Sequence, residues 1–367
     1  MQETNKTFIT EFILLGFQSV KNIWMLFFCL FLLIYCLTIC GNFLIIMLVL
    51  SCKNLQSPMY IFLTQLSMND ILLITDIVPN MLHMFLKEHG TITFMGCVTQ
   101  LYFFSASETL ECLLLTVMSY DRYVAICNPF HYNSIMNTAF SLKLGVTSWA
   151  FSFTVILIDI LTISNLKFCD SNIIDHYFCD LAPLLEISCS DTYIVRLEAS
   201  VLSGPVIVFP CLIIVVSYIH IITTVVRIPS NIGRQKAFST CISHLTVVSI
   251  FYGSLFGVYA LPTEGQSLYL NKTLSLLYTV GTPLINPVIY TLRNKDIKIA
   301  LGKFDCVLST SVHKINLFYY KHFISMGKIK VPSKDMILDL QNAEMGYKTI
   351  SKKFGEKGTT VVVIVPK

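Results

Sequence analysis

Charge is scarce in this chain. Only 13% of its 367 residues are Asp, Glu, Lys or Arg, against 54% hydrophobic, where a soluble domain carries roughly a quarter charged residues. That shortage argues against one or two domains folded in water with alternating apolar and polar faces, because the apolar residues stand in long blocks instead. Catalytic signatures are missing too. No His-Glu-x-x-His metal box, Gly-x-Ser-x-Gly elbow or Gly-rich phosphate loop occurs, which argues against an enzyme working in the membrane. Internal repeats and paired broken helices, common marks of transporters, are also absent. Residues 1–23 scatter Glu3, Lys6 and Glu11 among apolar residues, without a basic start, a compact apolar run or a small-residue cleavage site. No cleavable leader is therefore expected.

What the chain does have is lipid-length apolar runs. A bilayer core about 30 Å thick needs about 20 apolar residues in a helix, whose backbone groups pair within the segment. Seven runs qualify, at roughly 24–50, 59–81, 96–120, 142–163, 199–226, 237–261 and 273–292. The expected fold is an all-α membrane protein, a seven-transmembrane helix bundle. It divides into an N-terminal arm (1–23), the bundle (24–292), a short amphipathic segment (293–303) and a tail (304–367).

Lysines and arginines in short loops set the orientation. With the N-terminus outside, the inner loops hold Lys53, Arg122, Lys143, Arg227, Arg234, Lys236, Arg293, Lys295, Lys298 and Lys303. The long loop after the fourth run holds Asp170, Asp175, Asp180, Glu186 and Asp191 against only Lys167 and Arg196. The sequon Asn5-Lys6-Thr7 would then face the secretory lumen, making Asn5 a glycosylation candidate. A second sequon at Asn271 lies too close to a run for modification to be expected. Of 13 cysteines, Cys97, Cys169, Cys179 and Cys189 fall on the outer side. Four cysteines in an oxidising compartment allow three pairings, and the residues alone do not choose. Cys306 is a weak candidate for palmitoylation.

The third run ends Met118-Ser119-Tyr120-Asp121-Arg122-Tyr123-Val124-Ala125-Ile126-Cys127. At 1.5 Å per residue Cys97 and Arg122 stand about 38 Å apart on one helix, one at each face of the membrane. Asp121 can neutralise Arg122, which is then either an arginine that changes partners in a helix rearrangement or a positive anchor holding this end inside. Asp70, Glu111, Asn286 and Asn42 place polar groups near mid-membrane on four runs. Unpaired charges there are costly, so these groups are expected to face one another. Together they form either a sodium site of oxygen ligands or a protonated, water-filled network. Pro287 frees a carbonyl and allows a bend, and Tyr290 lies three residues further along.

The ten-residue string around Asp121-Arg122-Tyr123 resembles the signature of rhodopsin-like G-protein-coupled receptors in its odorant-receptor form. Further strings resemble the same family: Gly41-Asn42; Leu55-Gln56-Ser57-Pro58-Met59-Tyr60; Leu66-Ser67-Met68-Asn69-Asp70; Ser217-Tyr218; Lys236 through Leu245; and Pro283 through Tyr290. The resemblance runs from about Phe8 to Lys303, with Gln56 and Ser57 where His and Thr are usual. It implies disulfides Cys97–Cys179 and Cys169–Cys189, a switch built from Asp121, Arg122, Tyr123, Tyr218, His244, Asn286, Pro287 and Tyr290, and a sodium ion at Asp70, Glu111 and Asn286. Tyr218 and Tyr290 are implied to meet near Arg122 on activation. Apart from that ion no cofactor is expected. The implied partners are a small volatile odorant, a stimulatory heterotrimeric G protein acting through cyclic AMP, and membrane lipid; no nucleic acid is expected. The alternatives are a non-olfactory small-molecule receptor, then a transporter or channel.

Phe104, Ser105, Glu108, Thr109 and Cys112 follow helical spacing along one stripe above Arg122. With Ser203, Val206, Tyr252 and Tyr259 they are the candidate ligand pocket, similar positions lining it in odorant receptors. Glu108 departs from the family, which has a small or neutral residue there, whereas Glu111 fits its pattern. Two readings of Glu108 stand: a carboxylate that pairs with an ammonium ligand, or a neutral acid hydrogen-bonded to Ser105 or Thr109. The tail beyond residue 303 resembles nothing in the family. It reads as a disordered segment, a cytosolic regulatory segment or the product of an extended or mispredicted reading frame.

Overall fold

The computed structural model describes residues 9–17, 23–87, 90–169, 171–260, 266–294 and 296–302. Asn5, Lys295, Lys303, Cys306 and the tail lie outside them. The chain divides into two compact units, Met1–Lys298 and Ile299–Lys367; of the second, only the helical residues 299–302 are described.

Six helices of the first unit are long and apolar enough to cross a membrane. They are α1 (Trp24–Ser51), α2 (Pro58–Lys87), α3 (Phe94–Cys127), α4 (Thr138–Ile163), α5 (Tyr193–Val226, with a π-helical turn at Ala199–Ser203) and α6 (Asn231–Ala260). A seventh rod, α7, is built from Gln266–Leu276, a π turn Leu277–Gly281 and Thr282–Arg293. Its pieces of 11, 5 and 12 residues are each shorter than a span, and the last carries Pro287.

The side chains sort as lipid solvation requires. On α1 only Phe31, Thr38, Asn42, Ile45, Leu48 and Val49 are buried, while Leu26, Leu33, Leu37 and Phe43 are more than half exposed. Val146, Leu161, Phe209 and Val226 are similarly bare on α4 and α5. In water such a surface would aggregate; in hydrocarbon it is the solvated face. The helix α3 is the opposite case. It packs against α2, α4, α5 and α6 and buries residues along most of its length.

Several helices outrun the expected spans: α2 continues to Lys87, and α3 covers 94–127 rather than 96–120. Hydropathy reads only the hydrocarbon slab, whereas a 30-residue helix such as α2 is about 45 Å long and projects beyond it. Nor is the unit wholly helical. At the Cys97 end of the bundle, β1 (Glu11–Leu14) pairs antiparallel with β2 (Gly90–Thr93) and parallel with β3 (Ile173–Ile174). Four residues of EFIL carry too little pattern to announce a strand. Their backbone groups are satisfied only by segments distant in the chain.

Candidate functional site

Two clusters and a joint between them occupy the bundle, and α3 runs through all three. At the Cys97 end the loop 164–192 is drawn onto α3 by the disulfide Cys97–Cys179, with Cα atoms 5.4 Å apart, and braced by Cys169–Cys189. Gln100 locks it further: its Oε1 accepts from the Cys179 amide at 3.0 Å, and its Nε2 donates to the Asp76 carbonyl of α2 at 2.9 Å. Tyr177 exchanges a 3.1 Å hydrogen bond with Thr279 of α7. Phe178 meets Phe104 edge-on at 4.7 Å, and Tyr278 stands 6.3 Å from Phe104. An aromatic wall thus closes over α3.

The first-strand arm is tied to the same place. Gly16, with φ +61°, turns the chain so that its amide donates to the His176 carbonyl at 3.1 Å. Its own carbonyl accepts from Lys272 Nζ at 3.1 Å, and that ammonium also pairs with Asp175 at 2.5 Å. His176, buried between Tyr177 and Phe178, has its pKa lowered to about 3, first by burial and then by the Lys272 cation. Burial raises the pKa of Asp180, whose Oδ1 accepts from the Leu181 amide.

A pH effect follows. The unfolded chain takes up a proton on His176 near pH 6.5, whereas the folded loop refuses it until about pH 3. Acidification through this window favours the unfolded state, at about 1.4 kcal/mol per pH unit for one group. The melting temperature of the purified protein should fall more steeply between about pH 6.5 and pH 4 in wild type than in His176→Phe. Parallel slopes would show that this imidazole is not held neutral.

Of the pocket candidates, Phe104, Thr109, Cys112 and Tyr252 are buried, and Ser105, Glu108 and Val206 half-buried. Cys112 and Tyr252 face each other across α3 and α6. The side chains of Ser203 and Tyr259 lie outside the described residues. Neither Ser105 nor Thr109 bonds Glu108: both of its carboxylate oxygens are sealed from solvent without a hydrogen-bond partner. The hydrogen-bonded reading of Glu108 is thereby corrected: in this structure its carboxylate accepts from neither hydroxyl.

At the joint, Asn286 Nδ2 donates to both oxygens of Asp70, at 3.2 and 3.1 Å. Asn42 donates to the Pro283 carbonyl at 3.0 Å. That carbonyl would have bonded the amide of residue 287, which proline lacks, so Asn42 repairs the break from a neighbouring helix. The approach is close: a Cβ on Gly41 would stand 3.2 Å from the Pro287 ring. Asn69 donates to the Ser107 carbonyl at 3.1 Å. The side-chain oxygens of Asn286, Asn42 and Ser107 remain buried and without partners, and the Glu111 carboxyl lies against Asn286. An all-oxygen set with a carboxylate on each of α2 and α3 fits a hard monovalent cation.

At the opposite end, Arg122 donates from Nη2 and Nε to Asp121 Oδ2, at 2.6 and 3.1 Å. Tyr132 donates to the other oxygen, Oδ1, at 2.7 Å. Tyr123 stacks on Tyr120 and meets His220 edge-on. On α6, His244 Nε2 lies 3.1 Å from the Leu115 carbonyl, which can only accept, so Nε2 carries the hydrogen. Its Nδ1 then accepts from Tyr218 at 2.8 Å. Tyr290 is buried and its hydroxyl unbonded, so Tyr218 and Tyr290 are not joined here. A cavity of about 350 Å³ separates α5 from α6 at this end, with Tyr218, Val225, Arg234 and Leu245 in its wall. Tyr60 of the Pro58-Met59-Tyr60 string reaches Asn294 and Asp296, at 3.2 and 3.1 Å, fastening the end of α7 to α2.

Gln100, Tyr177, Phe178, Asp180, Lys272 and Tyr132 escaped sequence reasoning. Gln100, Tyr177 and Lys272 bond partners about 80 to 100 residues away, and Tyr132 reaches Asp121 from a separate helix, so no local spacing signals them.

A bundle with six membrane-length helices and a polar joint between an aromatic-capped mouth and an Asp121–Arg122 ion pair defines a multi-pass helical membrane protein. The family model for olfactory receptors matches residues 28–307. Olfactory receptor 1500 of Rattus norvegicus is 43% identical over 312 residues, covering 85% of this chain and all of that protein. Olfactory receptors 6B2 and 11A1 of Homo sapiens are each 44% identical, covering 83% and 84% of this chain and 97% of each relative. The chain belongs to the olfactory receptor family. It is a multi-pass protein of the plasma membrane and a G-protein-coupled receptor, not an enzyme.

Proposed function

We propose that this receptor binds a small volatile molecule at the Cys97 end and activates a stimulatory G protein, raising cyclic AMP. In this reading α7 is the seventh span, the N-terminus and Asn5 face outward, Asn5 carries a glycan, and residues 293–303 form an amphipathic helix on the cytosolic face. The observation that carries it is the joint between α1, α2 and α7. Asn42, Asp70 and Asn286 meet at the one place where Pro287 has opened the backbone ladder, so α7 can bend there while its neighbours keep it paired. Ligand contacts are assigned to Phe104, Ser105, Glu108, Thr109, Cys112, Ser203, Val206, Tyr252 and Tyr259. Bending would reach Tyr290, Tyr218 and His244, release Arg122 from Asp121, and widen the cavity between α5 and α6 for the G protein.

Asp70, Glu111 and Asn286 would hold a sodium ion, which would neutralise buried carboxylate charge and favour the resting packing. Sodium should then raise the melting temperature of the purified receptor relative to choline, and Asp70→Asn should remove that difference. An equal melting temperature in both salts would remove the ion from this reading. The function itself is tested in cells carrying a stimulatory G protein, by recording cyclic AMP against volatile alcohols, aldehydes, esters and amines. A concentration-dependent rise is expected for at least one class. Ligand responses that run only through another G protein would overturn the coupling.

A further inference from the structure

Glu108 is the anomaly of the mouth. Its carboxylate oxygens are sealed from solvent, yet neither accepts a hydrogen bond. Among the described residues the charged groups that act on it are Glu111, Asp180 and Asp70, all acidic, with no lysine, arginine or histidine. Lys272, a cation at the rim, is committed to Asp175 and the Gly16 carbonyl. Asp180 comes from a different element. It follows Cys179, which the disulfide and Gln100 fix above α3, and Tyr177 feels both Asp180 and Glu108.

The surroundings are aromatic. Phe104 lies one helical turn from Glu108 on the same face of α3, and Phe178 packs on Phe104. Tyr252, from α6, closes the side by Cys112, one turn the other way. A buried carboxylate with no donor is costly, and a ligand that brings both a positive charge and several N–H groups removes that cost. An ammonium supplies three donors and gains further from aromatic faces, whereas an alcohol supplies one donor and no charge.

We infer that Glu108 and Asp180 form an ammonium-recognition subsite, so that small organic amines are among the ligands of this receptor. The inference rests on the proposed pocket and narrows its ligand class. The carboxylates seat the amine, and Phe104 and Phe178 pack on its hydrocarbon part. Asp180 acts from the loop, so the subsite is complete only when Cys179 is held on α3.

The experiment compares hexylamine with hexanol and cyclohexylamine with cyclohexanol, on wild type, Glu108→Gln and Asp180→Asn, with cyclic AMP and surface labelling recorded together. Asparagine still caps the helix at residue 181, so Asp180→Asn keeps the loop's own fold. Wild type should respond to amines. Glu108→Gln should lower amine potency about 10- to 100-fold, the worth of a charge-assisted hydrogen bond, with a smaller change for alcohols. Asp180→Asn should move amines in the same direction, and it decides the matter if Glu108→Gln fails to reach the surface. Alcohol responses without amine responses in wild type would overturn the subsite and leave the odorant reading standing. Unchanged amine potency in a variant that reaches the surface would likewise overturn it. Silence to every compound in the panel would count against both.

Discussion

Replacing Arg122 by alanine should abolish ligand-stimulated cyclic AMP while leaving surface labelling near the wild-type level. Among the described residues the guanidinium makes local bonds, both to one oxygen of the adjacent Asp121. Tyr132 holds the other oxygen, so the turn keeps an anchor when the arginine is gone. The loss to folding is therefore modest, of the order of the 1.5–3 kcal/mol typical of a charged hydrogen bond. The loss to signalling is complete if the arginine is the group that changes partners when α6 moves. About 38 Å of helix separate it from Cys97, so ligand affinity should hardly change. A mutant with full signalling would reduce Arg122 to a topological anchor.

Cys97→Ser and Cys179→Ser should each trap the protein in the secretory pathway, with surface labelling near background. The bond closes a separation of 82 residues, worth about 4 to 5 kcal/mol in the chain-entropy account, a large share of the stability of a typical domain. More is lost than the bond. The Cys179 amide sits on Gln100, and Tyr177 and Phe178, next to it in sequence, form the aromatic wall. Cys169–Cys189, at a separation of 20, is worth about 3 kcal/mol by the same account, so Cys169→Ser should retain more surface protein. Equal, normal labelling of all the cysteine variants would show that the loop holds without its covalent ties.

The two sites differed in how far they could be read without coordinates. The string around Asp121-Arg122-Tyr123 is local: its residues act where they stand in the chain, so their spacing already places them at one helix end. Asn286 and Asp70 are 216 residues apart, yet both were expected to meet, because a buried polar group in lipid must find another. No such rule names the partner of Glu108. Its acidity was plainly out of pattern, but Asp180 lies on a loop whose path depends on which cysteines pair.

The sequence by itself determined the solvent, the spans that hydropathy reveals, the family and the two ends of α3, since each rests on composition or on residues within a few turns of one another. Only the tertiary structure decided the β1 strand between β2 and β3, the Lys272 tie to Gly16 and Asp175, the repair of the Pro283 carbonyl by Asn42, and the acidic neighbourhood of Glu108. The reason is physical. A hydrophobic run satisfies its own backbone and meets lipid on its own account, whereas a hydrogen bond or an ion pair needs a second group, and which group arrives is settled by packing.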